Sequence, residues 1–259
     1  MDYQYIDIQL DQRIGHIVLN RPEKRNAFNY ELVTELKAAF QSLYSNDDCK
    51  IIVLRAKGEV FSAGADLGYL QQLQKNTYEE NRADSRHLMA LYEMIYAGPK
   101  VVISQVEGHA IAGGCGLATV SDFSFAVPAA NFGYTEVRIG FIPAIVSVFL
   151  ARKIGEGKAR ELLLTGDLIS AEEALRYGLI SFVVNADEIA ERVQQFALGL
   201  AKNCSGNSLA MTKSLLAEVQ DLPYQAALAL AADRNAQARA TDDCQHGIQS
   251  FLNKEKIKW

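Results

Sequence analysis

Three short apolar runs, at residues 16–20, 51–55 and 101–104, each open onto a turn or small-residue loop and then a stretch of helical period. This β-then-α rhythm confines the chain to a layered α/β core in which successive crossovers bring strands side by side. In the first unit Arg21-Pro22 marks the turn, and Asn29 is placed to cap a helix beginning near Tyr30 with Leu32, Leu36, Ala39, Phe40 and Leu43 on its apolar face. The second unit runs through a loop at 58–65 into a long helical region reaching Tyr96, and the third precedes a glycine-rich segment at 108–117. Ser170 and Glu173 have the spacing of a capping box. Four further helical segments are predicted at 186–201, 209–219, 223–238 and 242–252. The polar Ser205-Gly-Asn-Ser208 break divides a core of residues 1–204 from a helical extension of residues 205–259.

With 259 residues, 49% hydrophobic and 22% charged, the chain can bury a substantial core. A net charge of -5 gives no electrostatic reason to expect nucleic acid, and no apolar run is long enough for a membrane-spanning helix. The polar N-terminus lacks the positive start and apolar run of a secretory signal, so a cytoplasmic enzyme is expected. Cys49, Cys115, Cys204 and Cys244 form no CxxC pair, and His16, His109 and His246 lack metal-ligand spacing. No metal is expected, and Cys115 has no identifiable base to activate it as a nucleophile.

The chemistry concentrates in two compact segments, Phe61-Ser-Ala-Gly-Ala-Asp66 and Gly108-His-Ala-Ile-Ala-Gly-Gly-Cys-Gly-Leu117, followed by one acidic residue, Glu136. Small side chains leave backbone N–H groups open to an oxyanion, and a carboxylate beside a polarised carbonyl can move a proton. From the residues alone, tight packing or helix capping is the default explanation of the small residues, and solvation that of the glutamate. Neither GxxxxGK[S/T] nor GxGxxG is complete, which argues against nucleotide hydrolysis and dinucleotide redox chemistry.

Taken together, Arg21-Pro-Glu-Lys-Arg-Asn-Ala-Phe-Asn29, Phe61-Ser-Ala-Gly-Ala-Asp-Leu67, Gly113-Gly-Cys-Gly-Leu117 and Phe132-Gly-Tyr-Thr-Glu136 resemble the enoyl-CoA hydratase/isomerase (crotonase) family over almost the whole chain. The resemblance implies a crotonase-like spiral of ββα units with a C-terminal helical extension, assembled as a trimer or a dimer of trimers. It implies an acyl-CoA thioester as substrate, with coenzyme A part of that substrate and no separate cofactor. The backbone amides of Ala65 and Gly113 correspond to the family's oxyanion donors. Lys24 and Arg25 fall where the phosphates or nucleotide approach, and Ala27 and Ala63 where backbone meets adenine and the pantetheine arm. Asp66 and Leu67 join the same coenzyme A set, and Phe251 and Lys254 complete it, across a subunit boundary if need be.

Glu136 matches the second of the family's two catalytic glutamates, whereas Gly116 stands where the first would be. One carboxylate can still move a proton between α and γ carbons, or support hydration if other groups take over the missing work. The pattern from Glu136 to Ser147 is similar to members acting on branched, carboxylated enoyl-CoAs, methylglutaconyl-CoA hydratases among them. The expectation is therefore hydration of such a 2-enoyl-CoA. Alternatives are double-bond isomerisation, dehydration of a 3-hydroxy-3-methylglutaryl thioester on an acyl-carrier protein, or binding without catalysis. Arg86 and His87 are further candidates for the acyl pocket.

Overall fold

A computed structural model describes residues 3–257 and 259. The chain opens with an antiparallel hairpin, β1 (Ile6–Asp11) and β2 (Ile14–Leu19), whose turn residues Gln12 and Arg13 both have positive φ. Helix α1 (Tyr30–Tyr44) starts where Asn29 Oδ1 accepts from the Leu32 amide at 2.9 Å, and it buries the five predicted apolar residues together with Val33.

Three strand pairs follow, each closed by a helix: β3 (Ile51–Ala56) and β4 (Val60–Ser62) lead to α2 (Leu67–Leu73) and α3 (Tyr78–Ala97). Next come β5 (Val101–Val106), β6 (His109–Ile111) and α4 (Gly113–Val120). The third set is β7 (Phe123–Ala126) and β8 (Asn131–Gly133), with α5 (Ala144–Ile154) and α6 (Glu156–Thr165). The long helical region predicted to run to Tyr96 is therefore two helices, because Thr77 and Glu80 form a capping box that starts a new one. The chain continues through β9 (Leu168–Ser170), α7 (Ala171–Tyr177) and β10 (Phe182–Val183). Ser170 and Glu173 form the expected capping box on α7.

The first strand of each pair joins one sheet and the second joins another. The larger sheet has the order β1-β2-β3-β5-β7-β10, and the smaller β4-β6-β8-β9. From β2 to β10 the larger sheet is parallel, and β5 is buried along its whole length, which is why these strands read as unbroken apolar runs. In the smaller sheet β4, β6 and β8 are parallel neighbours. Their C-terminal ends, Ser62, Ile111 and Gly133, lie side by side, so the loops that follow are neighbours too.

Helices α8 (Ile189–Asn203), α9 (Gly206–Val219), α10 (Tyr224–Arg239) and α11 (Asp242–Leu252) complete the chain. Helix α8 packs Phe196 against Phe123, Phe125 and Phe182 of the larger sheet. Helix α9, capped by Ser205, is pinned by Lys213, whose Nζ donates to Asp122 Oδ2 at 2.7 Å and to the Lys100 carbonyl at 3.0 Å. Among the described residues no helix is long and apolar enough to cross a membrane.

Candidate active site

The loop after β4 is tied to the segment at 21–29 strand-fashion. The Ala63 amide donates to Arg25 O at 3.0 Å, Phe28 N to Gly64 O at 2.6 Å and Asp66 N to Phe28 O at 2.8 Å. Asn26 is fully buried and holds the outer turn: Oδ1 accepts from Arg21 N at 2.9 Å, and Nδ2 donates to Lys57 O at 2.9 Å and Val60 O at 2.8 Å. Asp66 caps α2 by accepting from Gly68 and Tyr69, while its other oxygen pairs with Arg21 at 2.9 Å. Among the described residues, Ala65 N–H has no acceptor.

The loop after β6 is a single residue, Ala112, at φ 49 and ψ -120, and it turns the chain directly into α4. Gly113 is the first residue of that helix, so its amide is one of the donors an α-helix leaves unpaired. Close approach explains the neighbouring glycines. A Cβ on Gly114 would lie 2.6 Å from the Ser62 carbonyl oxygen, and one on Gly64 2.8 Å from Ala112 Cβ. At the far end of α4, Lys153 Nζ donates to the carbonyls of Thr119 and Ser121, both at 2.9 Å, which fixes the helix against α5.

The loop after β8 carries Glu136. Tyr134 anchors it from within the core: Thr119 donates to Cys115 O at 2.9 Å, so the 2.6 Å contact between Tyr134 Oη and Thr119 Oγ1 has the tyrosine as donor. Glu136 then begins a short 3-10 turn, Glu136–Ile139, with Oε2 buried and without a partner. Burial holds its carboxyl above the ordinary glutamate range, offset in part by its own backbone amide.

The three loops share one cavity of about 470 Å³. Of the residues singled out from sequence, Ala63, Ala65, Leu67, Gly113, Glu136 and His87 line it. Lys24, Arg25, Phe251 and Lys254 lie on the exposed surface and Ala27 is buried, none of them lining the cavity; nor does Asp66, which is occupied with Arg21 and the α2 cap. Arg86 is exposed and outside it. His87 is stacked on Tyr30 at 4.2 Å, with Nε2 3.0 Å from Thr34 Oγ1 and Nδ1 3.2 Å from Lys37 Nζ, an arrangement that holds α3 to α1.

Sequence reasoning missed three groups at this cavity. Tyr92, from α3, donates to the Gly113 carbonyl at 2.8 Å, and the Tyr69 hydroxyl donates to Asp84 across the gap between α2 and α3. None stands in a motif; each reaches the wall because helix packing brings it there. Among the described residues no cluster of potential metal ligands occurs and no lysine or arginine lines the cavity. All four cysteines are free thiols, and burial pushes that of Cys115 up to about 12, far from the activated range.

A sequence model described as enoyl-CoA hydratase/isomerase matches residues 9–259. A Thermus thermophilus protein named "Putative enoyl-CoA hydratase" is 39% identical over 243 residues, 93% of this chain and 96% of its own length. The crotonyl-CoA hydratase of Syntrophomonas wolfei is 31% identical over 261 residues, covering 100% of this chain and 99% of its own. Among solved structures, an enoyl-CoA hydratase from Shewanella pealeana superposes with a TM-score of 0.94 at 32% identity, over 99% of this chain and 96% of that one.

Proposed function

The chain belongs to the enoyl-CoA hydratase/isomerase family, and we propose that its cavity adds water reversibly across the α,β double bond of a 2-enoyl thioester of coenzyme A. One observation carries this reading: the carboxylate of Glu136, half-buried and with Oε2 unpartnered, lines the same cavity as Ala65 and Gly113, whose backbone amides have no acceptor among the described residues. In the proposed cycle the thioester oxygen sits between those amides, which stabilise the negative charge that develops on it. Ionised Glu136 takes a proton from water as the water oxygen bonds to the β carbon, and the π electrons move to the thioester oxygen. The enolate then recovers that proton from Glu136 at the α carbon. Coenzyme A is a handle on the substrate throughout.

Along that handle, Lys24 and Arg25 approach the phosphates, Ala27 and Ala63 offer backbone groups, and the Asp66–Leu67 turn flanks the arm. Phe251 and Lys254 reach a site from a neighbouring subunit, and residues 205–259 complete both site and assembly. Support comes from the exposed cavity wall at Ile139, Phe141 and Ile142, and from α10, which has no buried residue in the single chain. A trimer or a dimer of trimers covers such surfaces.

Of the two acyl features expected from the 136–147 pattern, the cavity favours branching over a second carboxylate. Val33, Leu70, Leu73, Leu88, Ile142 and Val146 give it an apolar wall, while Asp84 and Glu136 would repel an added negative charge. We favour a neutral, branched chain. The test follows 3-methylcrotonyl-CoA, 3-methylglutaconyl-CoA and a β,γ-enoyl-CoA by mass spectrometry in ¹⁸O-labelled water. Labelled hydroxyacyl product, fastest from the neutral branched substrate, is expected; double-bond migration without label would move the reading to isomerase, for which one carboxylate also suffices. Glu136→Gln lowers hydration on the order of 10²- to 10⁴-fold while coenzyme A binding persists, and unchanged turnover would sink the role given to Glu136.

A further inference from the structure

A trans peptide points its carbonyl and its N–H in opposite directions, so a free amide is aimed by whatever holds the oxygen of its own peptide unit. For Ala65 that oxygen is Gly64 O, which accepts from Phe28 N at 2.6 Å, and the Asp66 amide closes the bracket by donating to Phe28 O at 2.8 Å. Phe28 thus pairs with Ala65 as neighbouring parallel strands do, and turns the Ala65 N–H away from itself. For Gly113 the oxygen is Ala112 O, which accepts from Gly116 N at 3.0 Å. The two amides are therefore aimed by different elements, one by the segment at 21–29 and the other by the first turn of α4.

Phe28 reaches both. A Cβ on Gly113 would lie 3.2 Å from Phe28 Cδ2 and Cε2 and 3.1 Å from Tyr92 Oη, so an edge of the phenylalanine ring rests against Gly113 where a side chain would begin. Tyr92 Oη donates to the Gly113 carbonyl at 2.8 Å, and Ser62 Oγ fixes the segment just before Phe28 by donating to Asn26 O at 2.8 Å. Phe28 and Tyr92 are both buried, so neither ring has room to swing aside. We propose that Phe28 is a positioning residue of the candidate active site: its backbone aims the Ala65 amide, its ring backs Gly113, and the one residue thereby fixes the spacing of the pair. The inference rests on the reading of those amides as the donors that receive the thioester oxygen. Two hydrogen bonds to one oxygen demand two distances and two angles at once, and each bond weakens steeply as its angle closes. Phe28 touches no reacting atom in this role. It bears on the negative charge that the oxygen acquires, while the coenzyme A handle is held elsewhere.

Because Phe28 also lines the cavity, charge stabilisation and wall contact are read separately. Acetoacetyl-CoA ionises at the carbon between its two carbonyls, and its enolate has an ultraviolet absorption of its own. The ratio of enolate to neutral ligand bound at a fixed pH reports how well the amides hold a negative oxygen. Butyryl-CoA stays neutral, and its affinity reports the wall and the handle. Phe28→Ala keeps the backbone bracket and removes the ring. The bound enolate ratio is expected to fall about tenfold, with butyryl-CoA affinity falling by no more than about threefold. An unchanged ratio would overturn the proposal, and so would a fall in butyryl-CoA affinity as large as the fall in the ratio, which would make the ring a wall contact only. Ile145→Ala opens the same cavity from α5 and is expected to leave the ratio unchanged. A matching fall there would trace the effect to water entry and sink the proposal. Where Phe28→Ala does not melt cooperatively, Phe28→Val takes its place in the same comparison. Wild-type protein that binds acetoacetyl-CoA with no gain in ratio over free solution would instead retire the reading of the two amides as oxyanion donors, a result visible before any variant is made.

Discussion

Glu136 is set against the stability of its own fold. Its carboxyl titrates above the ordinary glutamate range because burial penalises the charge. Between the ordinary value and the raised one, the folded chain binds a proton that the unfolded chain has released. The stability tied to that proton is complete below the ordinary value and is lost as pH rises through the raised one. Glu136→Gln is therefore expected to melt higher than wild type at pH 8, by an equivalent of about 1 kcal/mol, and to match it near pH 4; equal melting at both would show that the buried charge costs nothing. In the proposed cycle turnover moves the opposite way, since there Glu136 must be ionised: hydration is expected to fall as pH drops through a value above the usual glutamate range, read from the acid limb of a kcat profile. At this scale Glu136, Ala65 and Gly113 were legible because each lies inside a compact motif. Tyr92 was not, since nothing local distinguishes a tyrosine in the middle of a long helix.

Between strands and helices, backbone conformation takes over from side-chain identity. Ala112 holds a positive φ that L-residues avoid, and it does so between β6 and the Gly113 amide. Replacing alanine by glycine ordinarily destabilises, but at this φ Ala112→Gly is expected to stabilise by about 1 kcal/mol. Urea unfolding checks the sign, and a loss of stability would mean that the turn carries no strain. Caps at Asn29 and Ser170 could be read in advance because an N-cap is a local bond between near neighbours. The strands β4, β6 and β8 could not, since three residues are too few to show a period of two. The opening hairpin hid for another reason: its turn places Gln12 and Arg13, not glycine or asparagine, at positive φ.

Across the whole molecule, the α/β layering followed from the run of apolar strands, but what fastens the last helices to it did not. Lys213 and Asp122 meet from distant parts of the chain, the lysine side chain 6% exposed and the aspartate 23%, and Asp122 also accepts from the Val102 amide at 2.7 Å. Lys213→Met strands the carboxylate and is expected to cost about 3 kcal/mol. Adding Asp122→Asn should recover part of that loss in a double-mutant cycle read by denaturant unfolding; additive losses would show that the pair is not coupled. The parallel alignment of β4, β6 and β8 has a consequence for inheritance. Two of the three groups it delivers to the cavity are main-chain amides, and apart from proline no point substitution can delete an amide. Single-codon changes can alter the carboxylate or the pocket wall, whereas a one-residue insertion or deletion in any of the three loops would move the amides out of place. Such a scaffold is robust to substitution and brittle to changes of length.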